Sequence, residues 1–287
     1  MIASGGTPTE RIRVTEVRSD GQRERDDEAA TEEPLEIRVV PAAGTDADRF
    51  RIAVTMRTPG ADFELAAGFL LTEGLLRTPS DLTRIAYCTD PDEPQRFNIV
   101  QVTLAPGVAF DAARFRRNVY TTSSCGVCGK AAIEQVTTAV ERTPIGRFAI
   151  DPRVLGSLPG RIASGQRVFG RTGGLHAAAL FTPSGELVLL REDVGRHNAV
   201  DKLVGQRLLT GALPDSNTVL LVTGRAGFEL VQKAAVAGIP FLAAIGAPSS
   251  LAISLARAQR MTLVGFLREG RFNVYSGGER IAVAPGG

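Results

Sequence analysis

From Pro34 onward the chain alternates. Leu35, Ile37 and Val39 are apolar and Glu36 and Arg38 between them are charged, which is the period of a half-buried strand. Phe50 to Met56 predicts a second strand across a loop at Gly44-Thr45-Asp46, ended by Pro59-Gly60. The spacing then changes to that of a helix. Asp62 is placed as a cap, Phe63, Ala66, Ala67, Leu70 and Leu71 form the apolar face, and Gly74 ends it. Ile85 to Cys88 and Phe97 to Leu104 read as further strands. Before Pro34 no such period is seen. Acids, arginines, Gly and Thr mix there without order, and the stretch to Glu33 reads as a disordered tail.

The second half is more regular. Lys130 opens a helical pattern through Ala131, Ala132, Ile133, Val136 and Val140. Asp151-Pro152 starts a short helix, with Pro159-Gly160 as its break. Leu175 to Phe181 and Leu187 to Leu190 form a hairpin about Pro183-Ser184-Gly185. A helix from Asn198 to Leu209 follows, with Val200, Leu203, Val204 and Leu208 as its stripe. Then come strand Val219 to Val222, helix Phe228 to Ala237, strand Ile239 to Ile245, a helix capped at Pro248-Ser249-Ser250 and running to Gln259, strand Leu263 to Leu267, and the extension Phe272 to Tyr275. Strand and helix in alternation imply parallel strands with right-handed crossovers. The fold class expected is α/β: a three-layer domain with a mixed sheet, beside a smaller β-rich N-terminal domain. The divisions are a tail at 1–33, the β-rich unit at 34–118, a mobile loop at 119–130, the α/β unit at 131–278 and a tail at 279–287. No internal repeat is evident.

Composition adds limits. The chain has 287 residues, enough for two cores. A net charge of +2 is too small to indicate a nucleic-acid binder. No run approaches the length of a membrane span, the start lacks the apolar core of a signal peptide, and three cysteines suit a reducing cytoplasm.

The candidate chemistry lies in Thr121-Thr122-Ser123-Ser124-Cys125-Gly126-Val127-Cys128-Gly129-Lys130. A Cys-x-x-Cys pair in a loop of small residues suits half a zinc site, a redox dithiol or a nucleophilic thiol. Zinc needs about four ligands. Only Cys88, His176 and His197 remain to supply the rest, with no second Cys-x-x-Cys, so no metal site is expected. Cys128 lies near a helix N-terminus, where the dipole stabilises a thiolate, which favours nucleophilic chemistry. The local argument does not choose between Cys125 and Cys128. Cys88 sits among apolar residues and reads as packing. Two sheet-edge turns, Thr223-Gly224-Arg225-Ala226-Gly227 and Gly246-Ala247-Pro248-Ser249-Ser250, open helices whose N-termini suit phosphate. The polar run Arg191 to Asn198 has a functional and a structural reading. In the latter, Asp193 caps the helix and His197 satisfies a buried carbonyl. His176, opening an apolar strand, reads as a packed histidine.

Taken in order, four motifs combine: Ser123 to Lys130, Gly173-Gly174-Leu175-His176-Ala177-Ala178, Glu192-Asp193-Val194-Gly195-Arg196-His197-Asn198-Ala199-Val200-Asp201-Lys202, and Gly265-Phe266-Leu267-Arg268. Together they closely resemble the formate dehydrogenase accessory sulfurtransferase family, FdhD, from about Pro34 to Tyr275. The resemblance implies a cytidine-deaminase-like fold. It implies a sulfur carrier, or sulfurtransferase, that accepts sulfur as a persulfide from a cysteine desulfurase. That sulfur goes to the molybdenum cofactor in its bis(molybdopterin guanine dinucleotide) form, destined for formate dehydrogenase. It implies Cys125 as the persulfide carrier, with Cys128 assisting. The cofactor segment falls on Phe266, Leu267, Arg268, Glu269, Gly270 and Arg271, with GDP as a partial mimic. A homodimer in the cytoplasm, with no nucleic-acid or membrane partner, completes the expectation. The rival within the class is a chaperone that holds the cofactor without sulfur chemistry. A zinc deaminase is disfavoured because Ala177 and Ala178 follow His176 where H-x-E would be required.

Overall fold

The computed structural model describes residues 6–42, 44, 48–110 and 143–282. Strands β1 (Thr9–Arg18) and β2 (Gly21–Ala30) form a two-stranded antiparallel ribbon. A four-stranded mixed sheet follows, built of β3 (Glu33–Val40), β4 (Phe50–Arg57), β5 (Leu82–Tyr87) and β6 (Ile99–Leu104) in the order β4-β3-β6-β5, with helix α1 (Asp62–Thr72) between β4 and β5. The remainder is α2 (Pro152–Gly165), β7 (His176–Phe181), β8 (Leu187–Asp193), α3 (Arg196–Leu209), β9 (Val219–Val222), α4 (Phe228–Val236), β10 (Phe241–Ala244), α5 (Ser250–Ala258), β11 (Thr262–Arg268) and β12 (Arg271–Ser276). A single helical turn, Phe169–Thr172, precedes β7. The six strands β7–β12 form one mixed sheet in the order β12-β11-β10-β9-β7-β8. Strands β9, β10 and β11 are parallel, β7 is antiparallel to β9, and β8 and β12 are antiparallel to their neighbours.

Period-2 geometry explains the apolar runs of this sheet. Ala178, Leu180, Leu220, Val222, Leu242, Ala244 and Leu263 face the core shared with α3, α4 and α5. Ala177, Ala179, Phe181, Val219, Leu221, Phe241, Ala243 and Val264 face the opposite side, against Leu155, Leu158 and Ile162 of α2. Helices therefore cover both faces. The first of these cores does not stop at the sheet. Leu35, Ile37, Val39, Val100 and Val102 of the four-stranded sheet and Leu65, Ala66, Leu70 of α1 belong to it. The β-rich unit and the α/β unit thus share one interior.

Four sequence expectations are corrected. Within the stretch expected to be a disordered tail, Thr9 to Ala30 form the β1–β2 ribbon. Its turn is Ser19-Asp20 before Gly21, and opposite charges face each other across it, as in Glu16–Arg23 at 2.5 Å. Cross-strand ion pairs and a turn signal carry this element, and an apolar count overlooks both. Pro159 does not break α2 but lies inside it, and Leu158 and Ile162 on either side remain fully packed. Asp62 is not the cap of α1. That position is Ala61, at φ 56°, and Asp62 is buried, accepting two hydrogen bonds from the Arg57 guanidinium at 3.0 Å. The stretch after 278 begins as structure, since Arg280 is buried and Ile281 bridges to Ile150.

Candidate functional site

The parallel strands β9, β10 and β11 end on one edge of the six-stranded sheet. The antiparallel β7 begins there with His176, and β8 ends there with Asp193. The two turns singled out by sequence are locked together at this edge. Gly246 N donates to Gly224 O at 3.1 Å, Ala226 N to Ala247 O at 3.1 Å and Ser249 N to Ala226 O at 3.0 Å. A Cβ on Gly246 would fall 2.9 Å from Gly224 O, so only glycine permits this approach. Ser249 caps α5 by accepting from Ala252 N, whereas Gly227 at the start of α4 has no side chain to do so.

The segment Phe266 to Arg271 is the hairpin that joins β11 to β12, beside these turns. Phe266 N donates to Gly246 O at 3.1 Å, and Phe266 itself is exposed with φ 54°. The Arg268 guanidinium donates to Ile245 O and to Leu267 O, both at 2.8 Å. Arg268 pairs across the hairpin with Arg271, and Gly270 at φ 73° makes the turn. Arg268, Glu269, Gly270 and Arg271 are exposed, while Leu267 is buried against the α2 side of the sheet.

Much of the polar run before α3 is committed to structure. Asp193 is fully buried and accepts from Thr58 N (3.2 Å), Gly195 N (2.8 Å) and Asn198 Nδ2 (3.0 Å), and it pairs with Lys202 Nζ at 2.7 Å. Lys202 also donates to Thr58 O at 2.8 Å. Asn198 donates to Met56 O at 2.7 Å. These contacts tie the end of β4 to the first turns of α3. Asp193 is thus a hub beneath the helix start, whose N-cap is Gly195. Among the described residues His197 serves no buried carbonyl. Its Nε2 lies 3.0 Å from Glu229 Oε2, and this hydrogen bond is the main reason the Glu229 carboxyl is held below its usual range. His176 has its basicity lowered, first by burial and then by the positive Arg196 and by His197, against a smaller opposing pull from Asp193. Arg196 Nε is buried with no acceptor among the described residues.

The structure therefore brings together Gly224-Arg225, Gly246 to Ser250, Phe266 to Arg271, His176, Arg196 and His197 on one edge. Donors and positive groups prevail there, and such an edge suits an anion. Among the described residues no cluster of three or more His, Cys, Asp and Glu could hold a metal, and no helix is long and apolar enough to cross a membrane. Cys125, Cys128 and the helix expected from Lys130 lie outside the described residues. Cys88 is buried, with Arg49 Nη1 and Gln101 Nε2 each 3.7 Å from its sulfur. Thr58 and Glu229 escaped the sequence reading. Thr58 sits before Pro59-Gly60, which reads only as a turn, and Glu229 reads only as a solvated helix residue.

Residues 30–282 match the model of the FdhD/NarQ family. The chain is 54% identical over 284 residues to a sulfur carrier protein FdhD of Streptomyces avermitilis, covering 97% of each. It is 47% identical over 282 residues to the protein of the same description from Mycobacterium tuberculosis, covering 96% of this chain and 99% of that one. Among solved structures it is similar to a protein of Desulfotalea psychrophila described as a formate dehydrogenase accessory protein. The TM-score is 0.72 at 26% identity, over 96% of this chain and 99% of the other.

Proposed function

Because the chain belongs to the FdhD/NarQ family, we propose that it is a sulfur carrier serving formate dehydrogenase. The observation that supports this most is similarity along nearly the full length to proteins described as sulfur carriers, in a chain whose sequence carries a Cys-x-x-Cys pair at Cys125 and Cys128. A carrier needs a thiol that a donor protein can reach, and Cys88 is buried. That leaves Cys125 and Cys128, and the resemblance to the family assigns the carrier role to Cys125, with Cys128 as its neighbour.

The donor is a cysteine desulfurase bearing a persulfide. The Cys125 thiolate attacks the outer sulfur of that persulfide. The donor's sulfur–sulfur bond breaks, and the donor cysteine leaves as its thiolate while the persulfide forms on Cys125. The recipient is the molybdenum cofactor in its bis(molybdopterin guanine dinucleotide) form, handled as cargo before it enters formate dehydrogenase. Phe266 to Arg271 holds one guanine nucleotide of that cargo. What supports this is the exposed Arg268 and Arg271 on one hairpin beside the phosphate-suited turns. The core is read as cytidine-deaminase-like, on the mixed sheet covered by helices on both faces, and the working assembly as a cytoplasmic homodimer.

The test is mass spectrometry of the protein after incubation with a cysteine desulfurase and cysteine. One added sulfur, removable by dithiothreitol and mapped to Cys125, is the expected result. If Cys125→Ser still supports full formate dehydrogenase activity in cells, the protein is a cofactor-holding chaperone instead.

A further inference from the structure

Strands β1 and β2 pair with each other and, among the described residues, with no other strand. The ribbon therefore has two free edges, each a row of backbone donors and acceptors open to another strand. Most of its residues are exposed, and Arg171 ties its base to the body through Glu28 and Thr9. A two-stranded ribbon standing alone is marginal in water. Thr9 to Ala29 also lie ahead of the stretch that matches the family.

The two edges differ in charge pattern. Two copies joined edge to edge about a two-fold axis pair antiparallel, and the residue on the axis faces its own copy. On β2, Arg23, Glu24, Arg25, Asp26, Asp27 and Glu28 are all charged. Any axis within that row sets a charge against itself, so β2 is guarded against a second copy. β1 has no such row. With the axis at Val14, Ile12 faces Glu16, Arg13 faces Thr15, Arg11 faces Val17 and Glu10 faces Arg18. No like charges are opposed. Ile12, 38% exposed in the single chain, lies diagonal to Val14 of the second copy. Four β-branched side chains thus meet at the centre, with a Glu10–Arg18 pair at each end.

The ion pairs already on the ribbon favour this register. Glu16 is shared by Arg18 at 2.9 Å, Arg23 at 2.5 Å and Arg25 at 3.5 Å, which leaves positive charge in excess near Arg18. Glu10, at the other end of β1, is exposed and has no ion pair among the described residues.

We propose that the β1 edge is a docking surface for a second copy of this chain, paired antiparallel about Val14. The product is a four-stranded sheet in the order β2-β1-β1-β2, with the two bodies at its opposite ends. So short a contact makes a reversible dimer. A homodimer is part of the function proposed above, and placing its contact on β1 rests on that part alone.

The experiment is sedimentation equilibrium of the full-length protein, alone and with Glu10→Arg, Arg18→Glu or both changes. Each single change removes both Glu10–Arg18 pairs and opposes like charges in their place. The dissociation constant of the dimer should rise by about 10-fold. The double change swaps the signs and should return it to near the parent value. Cross-linking reads the register independently, in a Cys125→Ser/Cys128→Ser background. Val14→Cys sets two thiols opposite each other, with Cα atoms about 4.5–5.5 Å apart and within reach of a disulfide. Oxidation should give a covalent dimer. Val17→Cys holds its two thiols about 20 Å apart and should not. A dimer that ignores the charge changes and does not cross-link through Val14→Cys joins elsewhere, which overturns the β1 contact and keeps the homodimer. A monomer at every concentration overturns both. Sulfur loading of Cys125 is measured on the parent protein. Its absence removes the carrier function and leaves the β1 contact standing.

Discussion

Gly68 of α1 and Gly205 of α3 face each other with their backbones in contact. A Cβ on Gly68 would fall 2.8 Å from Gly205 N, and one on Gly205 would fall 2.7 Å from Gly68 N. This crossing joins the helix of the β-rich unit to the helix that carries Arg196 and His197. Either glycine→Ala change must push the helices apart. Overpacking of this kind costs about 1–3 kcal/mol, and more where backbone rather than side chain must move. Thermal melts of Gly68→Ala and Gly205→Ala should each show a lowered midpoint. A midpoint equal to the parent's in both would mean the contact is slack.

The Asp193–Lys202 pair is buried at both ends, with side-chain exposures of 0% and 2%. Removing one partner leaves the other charged and dry, at a cost of about 3–5 kcal/mol. Lys202→Met is expected to destabilise strongly in denaturant unfolding. The double change Asp193→Leu/Lys202→Met should recover part of the loss, since no lone charge remains. If the double variant is no better than the single, the cost lies in the lost bonds to Thr58 rather than in the stranded carboxylate.

The pH dependence of stability follows from His176. Its folded-state basicity lies below the ordinary value of 6.5. The unfolded chain therefore takes up the proton first. As the pH falls through about 6.5 toward the folded value, stability is lost, and above it this contribution is flat. His176→Gln should flatten that part of the stability profile between about pH 7 and pH 5. An unchanged slope would show that His176 titrates alike in both states.

Arg268 and Arg271 are expected to matter for a guanine nucleotide but not for sulfur loading. Each charge-assisted contact to phosphate is worth about 1.5–3 kcal/mol, or roughly 10- to 100-fold in affinity. Calorimetry with GDP on Arg268→Ala and Arg271→Ala reads this. In Arg268→Ala part of the loss would come from the hairpin, since its guanidinium also holds the Ile245 carbonyl. Arg271→Ala is the cleaner probe. Parent-like GDP binding in both would move the nucleotide away from this hairpin.

The β1–β2 ribbon is joined to the body by Arg171, which pairs with Glu28 at 2.5 Å and donates to Thr9 Oγ1 at 3.3 Å. Arg171→Ala should free the ribbon without altering the core. Limited trypsin digestion should then cut faster at Arg18 or Arg23, while the thermal midpoint stays put. Equal cutting rates would show that the ribbon is held by other contacts.

Local order alone determined much of this protein. The alternation in Leu35 to Val39, the helical spacing in Val200 to Leu208 and the apolar runs of β9, β10 and β11 are fixed by periods of 2 and 3.6, and a sequence displays a period openly. The Cys125-Gly126-Val127-Cys128 motif and the polar run around Asp193 were equally visible, because residue type and spacing define them. Their roles were not. Asp193 became a buried hub, and Asp62 the partner of Arg57 in place of a helix cap, because each met a cation from another element. Pro159 stayed in its helix between packed Leu158 and Ile162, against its local preference. The close approach of Gly68 to Gly205, and of Gly224 to Arg196 and His176, joins residues far apart in the chain. Only the tertiary structure decided these, because burial and charge pairing depend on which groups the fold places within a few ångströms, and sequence distance carries no record of that.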